Sequence, residues 1–158
     1  MKKEIRRKEK AVIGWREVVS LPELGIGSLE AKVDTGARTS ALHATAIRQM
    51  DQDGKRMLEF EIPATRSHRA QRYVAPLVDA RPIKNTGGVA EIRYVIETTL
   101  VLGAKSWKIE ISLADRENMK FDLILGRTAI RRRRLYVDPG RSFLAGPPGK
   151  QVSVSPPA

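Results

Sequence analysis

Apolar and polar residues alternate along much of this chain. Trp107, Ile109, Ile111 and Leu113 are interleaved with Lys108, Glu110 and Ser112, the period-two pattern of a strand with one buried face. Ile92, Tyr94, Ile96, Thr98, Leu100 and Leu102 form one face of a longer strand, and Leu58, Phe60 and Ile62 alternate with Glu59 and Glu61. Turn signals separate these runs. Asp53-Gly54 predicts a two-residue hairpin, Gly103-Ala104-Lys105 a short hairpin loop, and Asn85-Thr86-Gly87-Gly88 another hairpin tip. Asp138-Pro139-Gly140 predicts a turn between short strands at residues 135–137 and 142–144. One helical piece is expected, a short helix over residues 127–133 with its arginines exposed. Many short strands with so little helix predict an all-β barrel or sandwich. No internal repeat is visible.

Composition narrows the picture. The chain has 158 residues, 41% of them hydrophobic and 30% charged, as expected of one globular domain. Residues 1–12 read as a basic flexible arm, 13–145 as the folded domain, and 146–158 as a Pro/Gly/Ser-rich disordered tail. No apolar run approaches the ~18 residues of a membrane span, and no secretory leader is evident, so a cytoplasmic protein is expected. There are no cysteines, which excludes a disulfide scaffold, a thiol nucleophile and any Cys-ligated metal. The only histidines, His43 and His68, have no local metal spacing. Gly25-Ile26-Gly27 and Gly149-Lys150 lack the remaining parts of a phosphate loop. Neither metal nor cofactor is therefore expected.

Net charge is +11, from 29 Lys and Arg against 18 Asp and Glu. Most of the excess lies in the first ten residues and in the run of arginines at 131–134. Such a balance favours an acidic partner, whether nucleic acid, an anionic surface or an acidic peptide. Aromatic residues make up only 5%, few for a base-stacking surface.

The segment with chemical content is Ala31-Lys32-Val33-Asp34-Thr35-Gly36-Ala37-Arg38-Thr39-Ser40, an alternating strand that ends in Asp-Thr-Gly. Alone, that triplet describes a strand closed by an Asp-capped turn as well as it describes a catalytic loop. A second segment sharpens it: Phe121-Asp122-Leu123-Ile124-Leu125-Gly126-Arg127, an apolar strand ending in glycine before the expected helix.

In this order the segments resemble one half of a retropepsin-like aspartic peptidase. More closely, the chain resembles a small bacterial family labelled an ATP-dependent zinc protease. Gly14-Trp15-Arg16-Glu17, the string from Lys32 to Ala44, Arg93-Tyr94-Val95-Ile96, Leu125-Gly126-Arg127-Thr128-Ala129 and Val137-Asp138-Pro139 carry the likeness. The label conflicts with the residues, which hold neither a zinc motif nor a phosphate loop.

The resemblance implies a closed acid-protease barrel with one short helix after the Ile-Leu-Gly strand. It also implies an aspartic endopeptidase whose catalytic loop is Asp34, Thr35 and Gly36. Such enzymes place two carboxylates about one water. A chain with one Asp-Thr-Gly then needs a second copy, hence a homodimer. Thr35 would brace the pair across the two-fold axis, and Gly126 would pack against the Asp34 loop. Arg38, Thr39, His43 and Arg127 would contact substrate, with Gly87 and Gly88 at the tip of a closing flap. If Arg38 pointed inward, it would favour the ionised pair. His43 is as readily a hydrogen-bonded strand residue, and Asp138, a turn residue, is the best intrachain alternative for the second carboxylate. Association of the family with glutamate ligases acting on a ribosomal protein implies an acidic, glutamate-tailed substrate and possible ribosome association. Arg66, Arg69 and Arg72 would join Arg38 and Arg127 in attracting it. A non-catalytic basic module for RNA or the ribosome, and the zinc peptidase of the label, are the competing readings.

Overall fold

The computed structural model describes residues 10–64, 69–84, 87–115 and 120–149. Residues 1–9 of the expected arm, the tail from Lys150, His68, Arg66 and the flap residues Asn85 and Thr86 lie outside them, whereas Ala11 and Val12, expected in the arm, belong to a strand.

The strands run in chain order β1 (Ala11–Gly14), β2 (Arg16–Leu21), β3 (Ile26–Asp34), β4 (Ser40–His43), β5 (Thr45–Gln52), β6 (Lys55–Ile62), β7 (Gln71–Pro76), β8 (Asp79–Lys84), β9 (Ala90–Leu102), β10 (Lys105–Ala114), β11 (Leu123–Gly126) and β12 (Leu135–Asp138). The single α-helix among the described residues, α1 (Arg127–Ile130), follows β11 directly. Six strands close into a barrel in the order β10-β4-β11-β3-β2-β9, with β9 returning onto β10. The all-β closed barrel and its short helix thus match the expectation. The helix is shorter than expected, because Arg131 turns to extended backbone (φ −61°, ψ 148°) and ends it, with left-handed angles following at Arg132 and Arg134 (φ 65° and 56°).

β9 does two jobs. Residues from Val95 onward pair antiparallel with β10 inside the barrel, while residues 90–95 pair with β8 as a projecting hairpin. Burial follows: Ile96, Thr98, Leu100 and Leu102 are inside, whereas Ile92, on the same expected face, is 66% exposed. A smaller sheet, β5-β6-β7, buries Leu58, Phe60 and Ile62 in the common core. On its outer face Glu59 pairs with Arg48 and Arg72 from the flanking strands. The Asp53-Gly54 hairpin has φ 53° and 77°, the pair of left-handed residues a tight I′ turn needs.

The Gly14-Trp15-Arg16-Glu17 segment joins the first described strand to the last described segments. β1 pairs parallel with β12. The Glu17 carboxylate is fully buried and accepts N–H bonds from Gly14 (2.6 Å), Leu144 (2.9 Å) and Ala145 (3.1 Å), which replace the water that a buried charge loses. A Cβ on Gly14 would lie 2.5 Å from the Arg141 carbonyl oxygen. Trp15 stands edge-on to Phe121, and the Arg16 guanidinium lies between the Trp15 and Phe143 rings. The strand expected at 142–144 is not formed: this segment is held by Glu17 and by the Arg16 carbonyl, and Phe143 has φ 58°.

Candidate active site

Asp34 is the last residue of β3, and Gly126, the last of β11, is its register partner. β11 lies between β3 and β4, parallel to one and antiparallel to the other. The loop joining β3 to β4 must therefore cross the end of β11, which fixes everything that follows.

Within that loop Asp34 Oδ1 accepts the N–H groups of Gly36 (3.0 Å) and Ala37 (3.3 Å). A Cβ on Gly36 would sit 3.2 Å from the same oxygen, so glycine leaves the carboxylate room. The crossing with β11 is tighter. A Cβ on Gly126 would meet the Thr39 carbonyl carbon at 2.7 Å and the Ala37 oxygen at 2.9 Å. Ser40 Oγ accepts the Gly126 N–H at 3.0 Å, and Ser112 Oγ donates to the Ser40 carbonyl at 3.0 Å. The start of α1 completes the clamp. Arg127 N–H donates to Ala37 O (2.8 Å) and its guanidinium to Gly36 O (3.1 Å). Thr128 donates to Arg38 O through its backbone (3.3 Å) and its hydroxyl (2.7 Å). Backbone groups on two chain segments thus fix the loop that carries Asp34.

Asp34 opens onto a cleft of about 710 Å³. Arg38, Thr39 and Ala41 line it from the Asp34 side, and Arg81, Pro82, Ile83 and Arg93 from the β8–β9 hairpin. Among the described residues four arginines face it, Arg38, Arg81, Arg93 and Arg131, against two carboxylates, Asp34 and Glu110. Arg81 and Arg93 are direct register partners across the hairpin, and Arg93 is only 6% exposed. Glu110 is engaged by Arg81 at 2.7 Å, and Arg81 also holds Asp79 at 2.7 Å. These contacts hold the Asp79 carboxyl below its ordinary value and push Arg81 higher still, in both cases chiefly through their mutual side-chain hydrogen bond.

The structure thus brings Asp34, Arg38 and Thr39 to one cleft. Thr35 and Gly36 are exposed on the same loop, and Arg127 braces the loop from outside the cleft lining. Gly87 and Gly88 are exposed beyond the last described pair of the hairpin, Lys84 with Ala90. His43 does not line the cleft; its Nδ1 lies 3.3 Å from the Ala114 carbonyl oxygen at the end of β10. Asp138 is also elsewhere, accepting the Gly140 N–H in the turn after β12. Arg72 belongs to the outer sheet with Glu59. Among the described residues no three His, Asp or Glu side chains gather as a metal cage, so the described residues do not fit the zinc of the family label.

Sequence reading missed Arg81 and Glu110 as cleft residues, and took Arg93 only as part of a motif. A signal was present: Arg93 stands opposite the apolar face of an alternating strand, where a charge must find a second surface. Arg81, by contrast, reaches the cleft only through its pairing with Arg93.

A family model described as the retropepsin-like aspartic endopeptidase RimB matches residues 12–148, and the chain belongs to that RimB-like family. It is 41% identical over 144 residues to a Desulfotalea psychrophila protein named "Probable alpha-L-glutamate ligase", a match covering 90% of this chain and 31% of that one. A Shewanella pealeana protein of the same name is 38% identical over 142 residues, covering 89% and 31%. The chain therefore spans about a third of the length of these curated relatives. A crystal structure of a Legionella pneumophila protein of unknown function superposes with a TM-score of 0.72 at 28% identity, covering 85% of this chain and 98% of that one.

Proposed function

We propose that this chain is an aspartic endopeptidase that acts as a two-fold homodimer on acidic, glutamate-rich peptide segments. The observation that carries the reading is Asp34, held by a backbone clamp at the edge of an arginine-lined cleft. Membership of a retropepsin-like aspartic endopeptidase family supports it.

Hydrolysis by this route needs a second carboxylate. The other acid in the cleft, Glu110, is engaged by Arg81, and Asp138 lies outside the lining. Asp34 of a second copy fills the role, with the exposed Thr35 beside it. Two carboxylates that close share one proton, because both cannot ionise together. The ionised member accepts a proton from water as that water attacks the scissile carbonyl carbon. The protonated member donates a hydrogen bond to the developing oxyanion. The two apparent pKa values then belong to the pair.

Substrate chemistry follows from the cleft's charge. Four guanidinium groups against two carboxylates leave a cationic surface within low-dielectric walls, which concentrates a polyanion. Guanidinium groups also hold carboxylates in a bidentate fork. The relatives named for alpha-L-glutamate ligation support glutamate as that carboxylate. In this reading the enzyme works in the cytoplasm on glutamate-tailed proteins, including those of the ribosome.

The test is mass spectrometry of a glutamate-tailed peptide incubated with purified protein near neutral pH, beside Asp34→Asn. Loss of glutamates with the unsubstituted protein alone is expected. Equal cleavage by Asp34→Asn would overturn the role of Asp34.

A further inference from the structure

The four arginines after α1 do not act as one patch. Arg133 turns toward the barrel, its guanidinium 5.4 Å from the centre of the Trp107 ring. Arg131, Arg132 and Arg134 instead line a second hollow of about 700 Å³, with Lys10 and Tyr136. Left-handed φ at both Arg132 and Arg134 produces this division. Side chains other than glycine rarely adopt that conformation, and surrounding structure must hold them in it. Among the described residues four cations and no carboxylate line the hollow, a surface whose potential attracts an anion. Arg131 also lines the cleft that holds Asp34. The two hollows share a wall.

We propose that this second hollow is an exosite for the acidic peptide itself, holding carboxylates of the same chain whose scissile bond lies over Asp34. The proposal rests on the acidic-substrate reading above and adds where a longer tail goes. Its continuity with the cleft through Arg131 favours peptide over nucleic acid. So does its single aromatic ring: Lys10 lies over Tyr136 at 4.4 Å and also bonds its hydroxyl, so that face gives no base-stacking platform. A tail that reaches both hollows makes its second contact within one complex, at high effective concentration. A short tail fills the cleft alone.

Fluorescence anisotropy tests this with labelled peptides of about four and about twelve glutamates, on the Asp34→Asn protein so that neither is cleaved. The long peptide is expected to bind roughly tenfold tighter than the short one. In the Arg132→Gln/Arg134→Gln double variant that ratio falls toward one. Arg133→Gln lowers thermal stability through its Trp107 contact but keeps the ratio. An unchanged ratio in the double variant overturns the exosite. So does an RNA oligonucleotide of matched charge that binds tighter than the long peptide and loses that affinity in the double variant. Short-peptide binding without a length gain defeats the exosite alone. Failure of both peptides to bind defeats the acidic-substrate reading, and the exosite with it.

Discussion

Asp34 and Arg81 face the same cleft from regions built by different forces. Around Asp34, positions are set by backbone N–H and carbonyl groups, bonded to one another and to the Ser40, Thr128 and Arg127 side chains, and by the missing side chains of Gly36 and Gly126. Around Arg81, on the β8–β9 hairpin, they are set by side-chain charges: Asp79, Glu110 and the facing Arg93. Close backbone contacts tolerate no added atom but are indifferent to salt. Half-exposed ion pairs tolerate substitution, weaken with salt and respond to pH. The difference suits the proposed peptidase, which would need a rigid carboxylate beneath a wall that can exchange its own carboxylates for those of a substrate.

The largest effect should come from the rigid side. Gly126→Val puts side-chain atoms into the Thr39 backbone, at 2.7 Å for the Cβ alone. A destabilisation of about 3 kcal/mol is expected, a Tm lower by roughly 6–12 °C, with loss of activity. A Tm within about 2 °C of the parent would show that the crossing is looser than its geometry implies.

Ser40→Ala comes next. It leaves the buried Gly126 N–H without its 3.0 Å acceptor, at a cost of about 1–3 kcal/mol. Calorimetry should give the same result in low and high salt; a strong salt dependence would erase the contrast drawn here.

On the charged wall, Arg81→Met should leave Tm within about 2 °C, because its partners are well exposed. KM for a glutamate peptide should nevertheless rise roughly tenfold, with kcat little changed. A large drop in Tm with an unaltered KM would make Arg81 a structural brace.

The smallest effect is a titration. Arg81 holds the Asp79 carboxyl below its ordinary value of 3.8. The pair therefore contributes fully at neutral pH. That contribution declines as pH falls from about 3.8 to the depressed value, because over that window the unfolded chain binds a proton that the folded state does not, and it is lost once pH has fallen through the depressed value. Carboxyl NMR should find the Asp79 midpoint below 3.8 and move it upward in Arg81→Met, where the Ala80 N–H bond to the carboxylate remains. An unmoved midpoint would contradict the pairing.

The same contrast explains what the sequence made legible. The Asp34 loop is a continuous string whose turn, glycine and polar residues act on one another locally, and Leu125-Gly126-Arg127 ends the strand beside it. Alternation at Trp107, Ile109, Ile111 and Leu113 gave β10 directly, since all four are buried. Alternation could not say where β9 leaves the barrel, so Ile92 read as core although it projects on the hairpin. Glu17 was unreadable as a buried carboxylate because two of its donors, Leu144 and Ala145, lie more than 120 residues away. The Arg81–Glu110 pair likewise exists only through the register of β8 on β9 and β9 on β10. The short extent of α1 escaped because nothing in an arginine run announces the extended backbone at Arg131.

The central claim is that hydrolysis uses Asp34 from each of two copies. It is tested most directly by mixing unsubstituted protein with Asp34→Asn, allowing subunits to exchange, and measuring peptide cleavage at constant total protein. A shared dyad makes every mixed dimer inactive, so activity follows the square of the unsubstituted fraction and an equal mixture retains about one quarter. A linear decline, with about half retained, would mean that each copy works with its own Asp34 alone.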